Sequence, residues 1–137
     1  MAGHADKIPP VVDGGSMREA LFDPDAGRVK RNFEGLFFHV GRYFRGYFVT
    51  PHSAYLLGDY KFILEYDSKD NGGAKRWLYN LKDDIGEKNN LMASMPEKAA
   101  EMERALMKCL HAVDAEIPAP HPDYSGKNPY VPIAGDF

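Results

Sequence analysis

"HSAYLLGDYKFILEY", residues His52 to Tyr66, decides the fold. Two apolar and aromatic runs flank Gly58-Asp59, a dipeptide that signals a tight turn. "HSAYLLG" reads as a strand, and "YKFILEY" alternates enough to be the second arm of a hairpin. The pattern continues on both sides. Upstream, "GLFFHV" (Gly35 to Val40) is apolar and aromatic and predicts a buried strand. Downstream, the polar "DSKDNGGAK" predicts a loop, and "RWLYNL" (Arg76 to Leu81) a third hairpin-like strand. Sequential strands joined by short turns predict an antiparallel meander.

A long helix follows. Pro96 suits a first helical turn, where its missing N–H costs nothing, and Ser94 with Glu97 has the spacing of a capping box. The predicted helix runs from about Met95 to Ala115. Met102, Leu106, Cys109, Leu110, Val113 and Ile117 recur at three- and four-residue spacing and define one apolar face. Glu97, Lys98, Glu101, Arg104 and Lys108 fall elsewhere. The face to cover it is a face of the sheet, with Phe37, Tyr55, Phe62 and Trp77 as candidates. The fold class is therefore α+β: a small antiparallel sheet of about four strands packed against one long C-terminal helix.

Residues 1–34 read as an irregular lead-in, with one short helix over "SMREALF" that Ser16 and Glu19 would cap as a box. Residues 35–117 form the α+β unit. Residues 118–137 carry Pro118, Pro120, Pro122, Pro129 and Pro132 and predict an extended tail. No internal repeat is present.

Composition excludes several function classes. A net charge of -3 lacks the basic excess of a protein that binds nucleic acid through phosphates. No apolar run approaches the roughly 20 residues that a membrane-spanning helix needs. The lone Cys109 rules out an internal disulfide and a cysteine-rich metal site. Phosphate-binding glycine loops, H-E-x-x-H and G-x-S-x-G are all absent. Cys109 falls on the apolar helix face and reads as a buried small hydrophobe rather than a nucleophile.

Two stretches invite a ligand. His39 precedes the basic and aromatic cluster Arg42, Tyr43, Arg45 and Tyr47, which combines anion clamps with stacking surfaces. The structural alternative is a core of aromatics with solvated arginines. "KDDIGEKNN" (Lys82 to Asn90) offers Asp83, Asp84, Glu87, Asn89 and Asn90 to a hard cation, but without EF-hand spacing. A turn held by side-chain bonds to its own backbone is the better reading. The residues by themselves give a binding or accessory unit and no catalytic site.

Several pieces in order also carry a resemblance. "IPPVVDGGSMREALF", "LFFHVGRY", "SAYLLGDYKFI", "LYNLKDDIGEKNNL", "PEKAAEMERAL" and "AEIPAP" run collinearly from about Ala2 to Pro120. They resemble the C-terminal end of the arylsulfatase family, whose members close with segments such as "LFWHYPHY", "SAIRxGDYKLI" and "LYDL", then a helix and a short proline-rich tail. No single piece is specific; their order is.

The resemblance implies a non-catalytic portion of a sulfuric ester hydrolase that completes the parent's fold and the rim of its substrate pocket. The family uses calcium and a formylglycine made from a C/S-x-P-x-R motif. The resemblance carries no catalytic or metal residue onto this chain, which lacks that motif, so no cofactor is expected in it. The expected partner is a sulfatase catalytic domain, or a second copy meeting the same apolar docking face, with no nucleic acid and no membrane. Family members are often periplasmic or secreted, although no signal peptide is legible here. The family's pocket-bordering segments match His39, Tyr43, His52 and Ser53; the candidate substrate-binding residues are His39, Arg42, Tyr43, Arg45 and His52. The chain departs from the pattern at Val40-Gly41-Arg42, and a leucine of the Leu56-Leu57 pair stands where the family usually has Arg. The alternative function is a stand-alone module for sulfated or anionic carbohydrate.

Overall fold

The computed structural model describes residues 9, 14–23, 25, 29, 31–42, 50–68 and 73–118. The chain divides into two units, Met1–Glu34 and Gly35–Phe137. In the first, α1 spans Arg18–Phe22, with Met17 as its N-cap and no side-chain cap. The capping box expected from Ser16 and Glu19 does not form. Instead the Ser16 hydroxyl accepts from the Arg18 N–H at 3.3 Å, a local turn that precedes the helix.

The second unit holds β1 (Leu36–Val40), β2 (His52–Leu57), β3 (Tyr60–Ser68), β4 (Gly73–Asn80) and α2 (Pro96–Ala112). The strands pair antiparallel in the order β1-β2-β3-β4, the expected meander. The turn between β2 and β3 places Gly58 at φ +61, as a primed hairpin turn requires. It pins Leu57 opposite Tyr60, and every later pair follows from that register. The polar stretch after Tyr66 is shorter as a loop than its composition suggests, because β3 continues to Ser68 and β4 begins at Gly73.

Register sorts the side chains onto two faces. Phe37, Tyr55, Phe62 and Leu78 lie in one row across all four strands. Tyr55, Phe62 and Leu78 are buried there, beneath Ala99, Met102, Leu106, Cys109 and Leu110 of α2. Trp77, expected on this surface, pairs with Ile63 and therefore points to the opposite face; Leu78 fills its place. At the rim, the Arg76 guanidinium grips the Glu103 carboxylate through Nε and Nη2 at 2.9–3.0 Å. Lys98 sits 5.5 Å from the Tyr60 ring centre.

The ends of α2 differ from the sequence expectation. Met95 is the N-cap and Pro96 the first residue, with no side-chain cap. The Ser94 hydroxyl donates backwards to the Leu91 carbonyl, so the Ser94–Glu97 box does not form. At the C-terminus Asp114 takes φ +51. The Asp114 N–H then donates to the His111 carbonyl and the Ala115 N–H to the Leu110 carbonyl. This is a Schellman stop, with Asp where glycine is usual. Since the helix ends at Ala112, Val113 and Ile117 leave its apolar face and are 42% and 36% exposed.

The acidic turn is built on its own backbone. Asp84 Oδ2 accepts from the Lys88 and Asn89 N–H groups, both at 2.8 Å. Asn90 acts as a substitute strand for the outer edge of β4: its Oδ1 accepts from the Leu78 N–H and its Nδ2 donates to the Arg76 carbonyl. The Leu91 N–H adds a bond to the Leu78 carbonyl. That edge is thereby closed to further strand pairing.

Candidate functional site

β1 and β2 meet at the pair His39–Ser53, on the face that carries α2. A directional chain of hydrogen bonds runs through it. His39 Nε2 lies 3.0 Å from the backbone carbonyl of Glu116, just beyond α2. A carbonyl only accepts, so Nε2 carries the proton and, in the neutral ring, Nδ1 accepts. The Ser53 hydroxyl, 2.7 Å from Nδ1, donates to it and accepts in turn from the Tyr66 hydroxyl at 2.6 Å. The His39 and Tyr66 rings stand edge to face, with centres 6.0 Å apart. Burial pushes the Tyr66 phenol above its ordinary range, and its bond to Ser53 opposes that shift. Ser53 is fully buried.

Ser53 and His39 have the spacing of a nucleophile and its base, but not the function. The serine hydroxyl has no path to a substrate, and the far nitrogen of the ring is spent on a backbone carbonyl. The geometry orients a histidine and fastens the segment after α2 to β1. Gly41 shows how tight this clasp is: a Cβ there would lie 2.9 Å from both the Glu116 carbonyl oxygen and His39 Nε2.

Beside the clasp is an open cavity of about 290 Å³ lined by His39, Val40, Gly41, Arg42 and Glu116. That volume approaches the smaller ligand sites of proteins. Arg42 is exposed and can offer a guanidinium to an anion at the cavity.

Of the five residues singled out by sequence, His39, Arg42 and His52 lie among the described residues. His39 and Arg42 share the cavity. His52 pairs with Val40 and so lies on the opposite face of the sheet from His39. Its Nδ1 donates to the Thr50 carbonyl at 2.8 Å. Tyr43 and Arg45 lie outside the described residues, as does Tyr47. Sequence reasoning missed Tyr66 and Glu116. The hairpin register set by Gly58 would have placed Tyr66 near Ser53, whereas nothing local announces a backbone carbonyl at Glu116.

The described residues do not assemble a site for the calcium of the resembled family. Among the described residues no group of three or more histidine, cysteine or acidic side chains could hold a metal ion. The best acidic donor, Asp84, is occupied by two backbone amides. Burial raises the Cys109 thiol above its ordinary range, the reverse of an activated nucleophile.

No family model matches the chain. No curated protein matches it either. Solved structures do. One is BT4656 in complex with its substrate D-glucosamine-2-N,6-O-disulfate; it is 21% identical, with a TM-score of 0.62 over 79% of this chain and 21% of that one. A second, designated BT33494S-sulf, comes from work on glycosaminoglycan metabolism by Bacteroides thetaiotaomicron; it is 22% identical, with a TM-score of 0.57 over 80% of this chain and 24% of that one. Both are sulfatase chains, and this chain has the fold of part of a sulfatase. It spans about a fifth to a quarter of their length.

Proposed function

We propose that this chain is the non-catalytic C-terminal portion of a sulfatase-like sulfuric ester hydrolase, completing its fold and the rim of its substrate pocket. The carrying observation is the fold match, which spans nearly four-fifths of this chain but only about a fifth of the sulfatase bound to a glucosamine disulfate. The collinear sequence pieces support the same reading. In it, Arg42 and the cavity beside His39 border the pocket, and the substrate class is a sulfated carbohydrate. The reaction belongs to the rest of the polypeptide, where the calcium and the formylglycine of the family would lie.

Two linked experiments test this. The coding DNA upstream of Met1 is read for an in-frame C/S-x-P-x-R segment. The polypeptide it encodes is then assayed on sulfated monosaccharides with and without residues 35–137. Loss of turnover on removing these residues, and a raised KM with kcat little changed in Arg42→Ala, are expected. A stop codon and an unrelated upstream frame would sink the proposal.

A second reading, a stand-alone module for sulfated or anionic carbohydrate, is favoured by Arg42 at the cavity. Titration of the 137-residue chain with a sulfated disaccharide tests it. Saturable binding that Arg42→Ala abolishes supports the module.

A further inference from the structure

The residues that line the cavity beside His39 carry charges that cancel. Arg42 is cationic and Glu116 anionic, while Val40 and Gly41 carry no charge. The ion pairs of the described residues, Lys61–Glu87, Arg76–Glu103 and Lys98–Glu101, use neither of the two. His39 therefore decides the net charge of the lining. The hydroxyl chain behind its ring can take a proton with every heavy atom in place. With the ring neutral, Tyr66 donates to Ser53 and Ser53 to Nδ1. A proton from water on Nδ1 turns that nitrogen into a donor, and a hydroxyl can both accept and donate. Ser53 then accepts from Nδ1 and donates to the Tyr66 oxygen across the same 2.7 and 2.6 Å. The Tyr66 hydrogen turns outward to water, since Tyr66 is only half-buried. Nε2 donates to the Glu116 carbonyl in both states. Of the other titratable groups on the packed elements, Cys109 of α2 is buried towards the sheet. His52 and Glu65 belong to the neighbouring row of the register, on the opposite face. His111 and Asp114, at the end of α2, are exposed.

We propose that this cavity binds a sulfate group, free or esterified, together with a proton on His39. The inference rests on the reading of the cavity as the rim of a sulfate-ester pocket and adds how that rim is regulated. The Arg42 guanidinium supplies the planar donors for the anion. The His39 proton turns a lining with no net charge into a cationic one, and the Ser53–Tyr66 chain reverses to accept that proton. Sulfate and proton then each raise the affinity for the other by the same factor. One added unit charge a few ångströms from the anion supplies on the order of tenfold in a medium between protein and water. The cavity fills in acid and empties towards neutral pH.

The test is a titration of the 137-residue chain, nitrogen-labelled at histidine, with sodium sulfate at constant ionic strength. It runs between about pH 8 and about pH 5, the span over which histidine side chains ordinarily change charge. Sulfate stays dianionic throughout, so any pH dependence comes from the protein. The affinity is expected to rise on the order of tenfold towards acid. In step with it, added sulfate should convert the His39 ring nitrogens to the doubly protonated pattern. Arg42→Ala should abolish binding at every pH. Tyr66→Phe removes the acceptor that the reversed chain needs and should flatten the rise. Equal affinity across the range, or a rise that His39 protonation does not accompany, overturns the proton link and leaves the proposed function standing. A rise undiminished in Tyr66→Phe overturns the reversal of the chain. Absence of sulfate binding at every pH overturns the anion site itself, while the reading frame upstream of Met1 still decides the proposed function. A sulfated monosaccharide titrated alongside separates the two sources. Proton-linked binding of either supports the proposal, and the tighter of the two is the occupant. The wild-type nitrogen shifts decide the matter even where Tyr66→Phe fails to fold.

Discussion

His39 Nε2 donates to the Glu116 carbonyl across 77 positions of sequence, tying the first strand of the sheet to the segment that leaves the last helix. Gly41 is the residue that permits this approach, since any Cβ would meet both partners at 2.9 Å. Gly41→Ala is expected to break the bond and cost about 1–3 kcal/mol, the usual range for forcing atoms into a packed site. Nitrogen chemical shifts of the His39 ring should then lose the fixed Nε2–H tautomer. An unchanged tautomer would show that the clasp yields without opening.

The hydroxyl chain behind His39 predicts coupled losses. Ser53→Ala removes a fully buried hydroxyl and leaves Nδ1 and the Tyr66 hydroxyl facing an apolar methyl. The expected cost is about 1–3 kcal/mol, the penalty for orphaned buried polar groups. Tyr66→Phe should cost less, because the serine keeps its bond to His39. Urea unfolding of both single variants and the double variant checks this. The double variant should be more stable than the sum of the two losses implies, and strict additivity would mean that the chain is not coupled.

The early stop of α2 separates two residues that the helical pattern treats alike. Leu106 is fully buried and Val113 is 42% exposed. Leu106→Ala is expected to cost about 2–5 kcal/mol. Val113→Ala should stay within about 0.5 kcal/mol, as surface changes do. Thermal melts of the two variants suffice, and similar losses would place Val113 back on the core face.

Alkaline pH should weaken the fold. Burial raises Cys109 from its ordinary value of 9.0, and Tyr66 and Tyr79 from 10.0. The nearby Glu87 and Asp84 add to the shift at Tyr79. For each group the folded state favours the protonated form. The associated stability is therefore complete below these ordinary values and is lost as pH rises through the higher folded-state values. Chemical denaturation followed from pH 8 upward should show a falling unfolding free energy above pH 9.0 to 10.0, less steeply in Cys109→Ala. A flat profile would contradict the burial of these groups.

Much of the fold was legible because its signals are local. Gly58-Asp59 fixes one hairpin, and the period of Met102, Leu106 and Cys109 fixes the buried helix face. The helix ends were not legible, since Ser94 and Glu97 have the spacing of a box that the chain does not use. Asp114 makes a stop that sequence habit assigns to glycine. Trp77 was misplaced because an aromatic residue in a two-faced strand satisfies either face, and only the register decides. In the site, His39 and Arg42 were visible as residue types. The carbonyl that holds His39 was not, because every residue carries one and only tertiary packing selects Glu116.

The strand order β1-β2-β3-β4 has a consequence for biosynthesis. Each strand pairs with its neighbour in sequence, so the sheet can assemble by local hairpin closure, with little loop entropy lost at each step. The union of α2 and Glu116 with the sheet is different in kind, since it reaches back across most of the unit. A ribosome emitting this chain would expose a nearly complete sheet before the helix that covers it exists. In that interval the apolar face that α2 later covers is open, and in the cell this is the stage at which a chaperone has most to shield.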